Sequence, residues 1–575
     1  MSSFDSKETT TLWQRWNLNS ERIPDKDAIV HWNAGEEPIR WTFKKLTNTA
    51  KKYSTFIKSA GIKPGEVCAI IIRHNPFFYP LYLGVSRAAA LPAVLAYPNT
   101  RLHPDKFRSG IEGMSQRSGL DYILTERELE PIIRPLTEKP GSTIKALLFP
   151  LEWDLKKEID TNINEEIEIA ANKVKGSDPV LLQHSSGTTG LQKPVILSHS
   201  AVLKHIAGLE NALNLSTQDK IASWLPLYHD MGLIAAFHLP LSYGITSIQI
   251  DPFQWVVAPI IQLEAISLEK ATLCWLPNFA YNIFADKIDE DELNEISLAS
   301  LRLTINCSEP VRSESHKKFI ARFAKYNFNP LAISACYGMA ETTFAITQTT
   351  PGSTITELKV DRTKLAQGFV EITGEGINAR TCVSSGKLIN ECRIRIVDDN
   401  RNDLPGDRVG EIAVKSISMF DGYRNYPEKT AEVVHDGWYF TGDYGFIHNN
   451  EYFIIGRKKD LIIVAGKNIY PEDVESAMNL VDGVIPGRVI AFGEEDEQIG
   501  TEQIAVVAET KAEDDKERNN IRLAVIKAGM SIDVNIHKVY LVPPRWLIKS
   551  SAGKPSRTTN KERIISRQDK LVWSR

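Results

Sequence analysis

Six consecutive apolar residues, Val67-Cys68-Ala69-Ile70-Ile71-Ile72, leave no polar face for water. A strand of this kind is buried on both sides, and sheets buried on both sides are mainly parallel with helices over each face. The neighbouring sequence supplies the helices. Residues 42–60 place Phe43, Leu46, Ala50, Tyr53 and Phe56 at helical spacing. Gly61-Ile62-Lys63-Pro64-Gly65 reads as a turn, residues 77–90 as a second helix, and Leu91-Pro92-Ala93-Val94-Leu95 as a second short strand. The alternation covers residues 37–150 and resumes from 180 to about 345, which predicts a layered α/β fold. From Gly386 to about Val434 the chain becomes strand-rich, so a small β-subdomain is expected over about 386–455. Beyond Asp460 the pattern is a smaller α+β segment, with strands at 489–492 and 503–509 and a helix at 517–528. A large N-terminal domain over 1–457 and a small C-terminal domain over 458–575 follow.

A formal net charge of −4 provides no basic field for nucleic acid or for an anionic membrane surface. Residues 1–26 are polar, so no leader peptide is expected, and no run of 18 apolar residues predicts a transmembrane helix. The six cysteines form no CxxC and no metal-ligand spacing; they read as small buried hydrophobes in a reducing cytoplasm.

Ser185-Ser186-Gly187-Thr188-Thr189-Gly190-Leu191-Gln192-Lys193 combines glycines, hydroxyls and a lysine in nine residues. Gly187 and Gly190 let the backbone approach an anion, Ser185, Ser186, Thr188 and Thr189 can donate to phosphate oxygens, and Lys193 supplies a point charge. It is not a Walker loop, because two residues separate its glycines and Pro194 follows the lysine. A buried strand at 180–183 precedes it, and a helix capped by Ser198 or Ser200 is expected to follow, a phosphate-binding arrangement. A flexible surface loop is the bland alternative.

Further segments carry chemistry of their own. In Tyr337-Gly338-Met339-Ala340-Glu341-Thr342-Thr343, Tyr337 can stack on a planar base and Glu341 can hold Mg²⁺ against phosphate oxygens. In Tyr439-Phe440-Thr441-Gly442-Asp443 the turn exposes a carboxylate suited to two ribose hydroxyls. Their bland counterparts are a core tyrosine, a solvated carboxylate and a turn-capping Asp.

With Gly410-Glu411-Ile412, Gly456-Arg457-Lys458-Lys459-Asp460 and Ser551-Ala552-Gly553-Lys554, these segments stand in an order that resembles the adenylate-forming superfamily across nearly the whole chain. Trp224-Leu225-Pro226-Leu227-Tyr228-His229-Asp230-Met231-Gly232-Leu233, Leu276-Pro277-Asn278-Phe279-Ala280-Tyr281 and Ser308-Glu309-Pro310-Val311-Arg312 are similar to its fatty acyl-AMP ligase branch, as is an extra segment at about 350–369. Pro194 after Lys193 and Tyr444 after Asp443 depart from the usual pattern.

The resemblance implies Mg²⁺- and ATP-dependent activation of a carboxylic acid, with a mobile C-terminal domain. It implies Lys554, Glu341 and Thr342 as catalytic, and Ser308, Tyr337, Gly338, Met339, Asp443 and Arg457 with the 185–193 segment around the nucleotide. It implies His229, Met231, Gly232 and Phe279 along an acyl tunnel and Asp460 at the domain hinge. The implied acceptor is the phosphopantetheine of an acyl carrier protein, because the extra segment is expected to hinder rotation of the C-terminal domain. Free coenzyme A is the alternative acceptor, and a non-catalytic acyl- or AMP-binding module the alternative of another class.

Overall fold

A computed structural model describes residues 9–98, 104–184, 192–376, 378–464, 467–496, 501–549, 555–566 and 572–574. The apolar run forms the strand Val67–Ile71, buried throughout. It lies inside a four-stranded parallel sheet between Leu91–Val94 and Tyr122–Thr125, with Ala146–Leu148 beyond. The helix Phe43–Ser59 starts at Thr42, whose side chain accepts from the Lys45 amide, and buries Phe43, Leu46, Ala50 and Tyr53. It packs on the helix Phe78–Arg87 at Gly84, where an added Cβ would fall 2.7 Å from the Tyr53 Cβ; only glycine lets the helices approach so closely.

The largest sheet among the described residues has nine strands. Its middle is parallel, running Ile333–Gly338, Leu303–Asn306, Leu273–Leu276, Lys220–Ser223, Thr246–Ile250 and Asp27–Trp32. Antiparallel strands close both edges. The central strands are almost entirely buried between helix layers, their polar members Ser247, Gln249, Thr304, Asn306 and Ser334 included.

The strand-rich region forms an antiparallel half-barrel of Cys392–Val397, Gly410–Ser416, Trp438–His448, Val434–His435 and Glu451–Arg457. The segment at 350–369 is not an inert surface loop. Its strand Glu357–Asp361 pairs with Ala379–Val383, and the short helix Arg362–Ala366 follows. Val360 and Leu365 from this segment share a small core with Phe446, Phe453, Ile455 and Tyr470.

One expectation is corrected near the phosphate-loop segment. Pro194–Ser198 forms a second strand, antiparallel to Pro179–His184, before the helix His199–Leu213 begins at its cap Ser198. The helix therefore follows a second strand rather than the 185–193 segment directly. Within that strand Val195 and Leu197 are buried and Ile196 is partly buried.

The C-terminal α+β region has its own core, including Val474, Met478, Val506, Val525 and Val539. The helix Pro471–Met478 meets the rest of the molecule through Asp473 in its first turn. Arg380 Nη2 lies 3.0 Å from Asp473 Oδ1, with Arg362 Nη1 and Arg312 Nη1 at 3.7 and 3.8 Å from the same carboxylate. Arg312 also donates to the Glu472 carbonyl at 3.0 Å. No helix among the described residues is long and apolar enough to cross a membrane.

Candidate active site

Two side-chain clusters form around the end of the strand Ile333–Gly338. In the first, the Tyr337 hydroxyl donates to Asp443 Oδ2 at 2.7 Å. Asp443 pairs in register with Arg457 across adjacent half-barrel strands, and Arg457 Nε lies 3.2 Å from Asp443 Oδ1. Asp443 raises the pKa of the Arg457 guanidinium against the opposing effect of burial. Asp443 lies within the strand Trp438–His448 rather than on the turn its sequence suggests, and the backbone there is held from both sides. Gly442, at φ 71°, donates its amide to Glu411, and the Asp443 amide donates to Thr441 Oγ1 at 3.0 Å.

The second cluster forms on the turn Ala340–Thr342, closed by Thr343 at φ 69°. Glu341 is only 6% exposed. Its Oε1 accepts from the Tyr423 hydroxyl at 2.7 Å, and its carbonyl accepts from the Phe420 amide. Lys193 Nζ stands 5.0 Å from the centroid of the Tyr423 ring. Burial lowers the Lys193 pKa, and the Glu341 charge opposes that shift.

Some predicted residues serve the backbone. The Thr342 hydroxyl, fully buried, donates to the carbonyls of Met339 and Phe344. Gly338 lies so close to Phe344 that a Cβ would sit 2.2 Å from its carbonyl oxygen, and the Met339 amide donates to that oxygen at 2.9 Å. Gly232 similarly packs on Pro226, whose carbonyl oxygen would be 2.3 Å from a Cβ.

The residues expected along an acyl tunnel make the following contacts. Met231 opens a buried π-helical stretch, Met231–His238; such stretches are often found at functional sites. Ser308, at φ 71°, directs its hydroxyl at the Met231 sulfur, 3.7 Å away. His229 Nδ1 lies 2.6 Å from Asp230 Oδ1. Phe279 lies edge-on to Trp224 and Trp255, which stack at 3.7 Å; its amide donates to Glu309. Residues 225–228 also line a cavity of about 70 Å³, together with Ile72, Phe78, Val94, Leu95 and Ile250, which no sequence pattern signals.

Asp460 is tied to Arg557 at 2.7 Å, and Arg557 also reaches Glu472 and Glu475. Ser185, Ser186, Gly187, Thr188, Thr189, Gly190 and Lys554 lie outside the described residues. Sequence reasoning also missed Tyr423 and Asp473. Gly422-Tyr423 follows a strand with no chemical signature, and Asp473 reads as an ordinary first-turn acid.

Among the described residues no three His, Cys, Asp or Glu side chains group as a metal site. Glu341 supplies one buried carboxylate whose hydrogen-bonded neighbour is a neutral phenol. That donor set fits Mg²⁺, which takes one or two carboxylates and completes its shell with substrate phosphates and water.

A model of the AMP-binding enzyme family matches residues 16–424. The probable long-chain-fatty-acid–AMP ligase FadD30 of Mycobacterium tuberculosis is 28% identical over 570 residues, covering 93% of this chain and 94% of that protein. A putative acyl-CoA synthetase of Caulobacter vibrioides is 28% identical over 529 residues, covering 91% and 90%. Among solved structures, a fatty acyl-adenylate ligase from work on the E. coli and L. pneumophila enzymes superposes with a TM-score of 0.86 at 23% identity, covering 96% of this chain and 97% of that one. The L. pneumophila ligase in complex with acyl adenylate and pyrophosphate gives 0.73 at 26% identity, covering 99% and 98%.

Proposed function

The chain belongs to the AMP-binding enzyme family, and from that membership we propose that it activates a fatty acid as acyl-AMP and passes the acyl group to the phosphopantetheine thiol of an acyl carrier protein. The observation that carries the reading is the pair of clusters at the end of one strand: Tyr337–Asp443–Arg457 for the nucleoside and Glu341–Tyr423–Lys193 for its phosphates.

In the proposed reaction a carboxylate oxygen of the acid bonds to the α-phosphorus of ATP. The bond from that phosphorus to the bridging oxygen breaks, and pyrophosphate leaves. Negative charge shifts among phosphate oxygens, so the protein's contribution is positioning and electrostatic stabilisation. Asp443 accepts from the ribose hydroxyls, and the Tyr337 ring lies along the base. Lys193 faces the phosphates, Glu341 would hold Mg²⁺, and Lys554 is proposed at the developing charge on sequence grounds. When bound, the cation neutralises phosphate charge.

The carrier-protein acceptor draws support from the segment at 350–369. It shares a core with Tyr470, and Arg362 within it faces Asp473, so the C-terminal region docks partly on this segment. A docked state favoured by such contacts disfavours a rotated one. The test is mass spectrometry of products formed from ATP, a long-chain acid and CoA. Acyl-AMP with little acyl-CoA is expected. Abundant acyl-CoA overturns the carrier-protein reading in favour of a CoA ligase, and absence of both products overturns the activation reading.

A further inference from the structure

Tyr423 joins two charged groups that the sequence keeps far apart. Its hydroxyl meets the Glu341 carboxylate, and its ring face carries the Lys193 ammonium. The ring itself has little freedom. Tyr423 is 3% exposed, Phe420 packs edge-on against it at 5.0 Å, and its amide donates to Thr430 Oγ1 at 2.9 Å. The backbone around it is joined to the strand that leaves Lys193. The Arg424 amide donates to the Pro194 carbonyl, Ile196 donates to Gly422, and Asp421 donates to Ile196. Burial and the Glu341 charge push the phenol's pKa far up, so it remains a donor at every working pH.

The arrangement does something that direct pairing would not. A lysine and a carboxylate in contact neutralise each other and offer little to a ligand. Among the described residues Glu341 makes no ion pair; a neutral phenol occupies the position a cation would take. The ammonium rests on the face of the same ring, where the aromatic quadrupole attracts it without cancelling its charge.

We propose that Tyr423 is a positioning residue that holds the Glu341 carboxylate and the Lys193 ammonium apart, each still charged, so that both act on the nucleotide phosphates. The inference rests on the proposed roles of Glu341 and Lys193 at those phosphates. It divides Tyr423 into two functions, the hydroxyl for the carboxylate and the ring for the ammonium.

Calorimetric titration of the full chain with ATP, with and without Mg²⁺, separates them, with thermal melting run on each variant. Glu341→Gln is expected to abolish most of the Mg²⁺-dependent gain in ATP affinity. Tyr423→Phe should reduce that gain about tenfold, the effect of one hydrogen bond to a charged group. Its metal-free affinity should stay within about twofold, because the ring under Lys193 remains. Tyr423→Leu should weaken metal-free binding as well. The double variant E341Q/Y423F should bind no more weakly than E341Q, since a residue acting through another adds nothing once that other is gone. An undiminished Mg²⁺ gain in Y423F overturns the proposal, as does an additive loss in the double variant. If Y423F alone is too unstable to titrate, E341Q and E341Q/Y423F decide the matter, because neither leaves a buried carboxylate unpaired. A full Mg²⁺ gain in E341Q itself refutes the role of Glu341, and the hydroxyl's part in the inference falls with it.

Discussion

Glu341 and Asp473 are both largely buried carboxylates beside basic residues, and they are arranged in opposite ways. Glu341 meets the Tyr423 phenol, and the Lys193 ammonium lies over the face of that ring. Asp473 meets three guanidiniums, from Arg312, Arg362 and Arg380. One carboxylate cannot serve all three equally. At Arg380 burial is opposed by the Asp473 charge together with Cys382, Tyr470 and Glu472, and the pKa rises, whereas at Arg362 burial prevails and lowers it. The first site keeps negative charge in reserve for a cation that arrives with a substrate. The second has consumed its negative charge in holding segments of the chain together. A buried carboxylate is therefore read by what surrounds it, since burial and residue type are alike in the two.

Exchanging the two carboxylates for neutral groups is the strongest challenge to that contrast. Glu341→Gln is expected to lower ATP–pyrophosphate exchange by about 10²-fold or more, roughly 3 kcal/mol, in line with other single electrostatic groups. Asp473→Asn should leave exchange within about threefold. Equal losses would erase the distinction. A second measurement addresses the structural side. Asp473→Ala strands the 9%-exposed Arg380 side chain, and breaking a buried pair costs about 3 kcal/mol. Hydrogen exchange should then accelerate in the helix Pro471–Met478 and the strand Ala379–Val383; unchanged protection in both would show that Asp473 holds nothing in place.

The smallest expected effect sharpens the picture on the cation side. Burial, with Arg488 and Lys287 nearby, pushes the Lys549 pKa down from 10.5 to about 8, against the opposing charges of Glu309 and Glu509. A lysine whose pKa is lowered on folding binds fewer protons in the folded state, so stability rises with pH between about 8 and 10.5. Below that window the ammonium is charged in both states and the burial penalty is felt in full. The gain from pH 8 to 9 is about 1 kcal/mol. Thermal midpoints of the wild type and of Lys549→Met should differ in their slope over that interval, and parallel slopes would count against a buried charge at Lys549.

Much of the fold was legible in the sequence, because the strands and helices that build it advertise their burial. The run at 67–72 and the helical spacing over 42–60 both found their places as buried strand and capped helix. The strand Pro194–Ser198 was less legible. Val195-Ile196-Leu197 has the length of a strand, but only the preceding strand at 179–184 could reveal its pairing. Within the candidate site, Tyr337, Glu341 and Asp443 were named from local pattern and Arg457 from the family resemblance, and their mutual contacts were not. The Tyr337–Asp443 bond spans 106 positions and the Tyr423–Glu341 bond 82. Such partners are chosen by strand order in the fold, and a motif carries no record of that order. Thr342 shows the converse limit: its pattern suggests an available hydroxyl, while the tight turn after it directs that hydroxyl to backbone carbonyls.

The six cysteines, all unpaired and all buried, bear on the fate of the product. Cys307 and Cys336 each directly precede a residue of the site, Ser308 and Tyr337. Burial raises the thiol pKa of Cys336 far above its ordinary value and lifts those of Cys274, Cys382 and Cys392 as well. A mixed anhydride is an acylating agent, and the thiolate is the form of cysteine that attacks it most readily, with AMP as the leaving group. With their pKa values raised and their side chains buried, Cys274, Cys336, Cys382 and Cys392 make poor internal traps for a reactive acyl donor formed nearby.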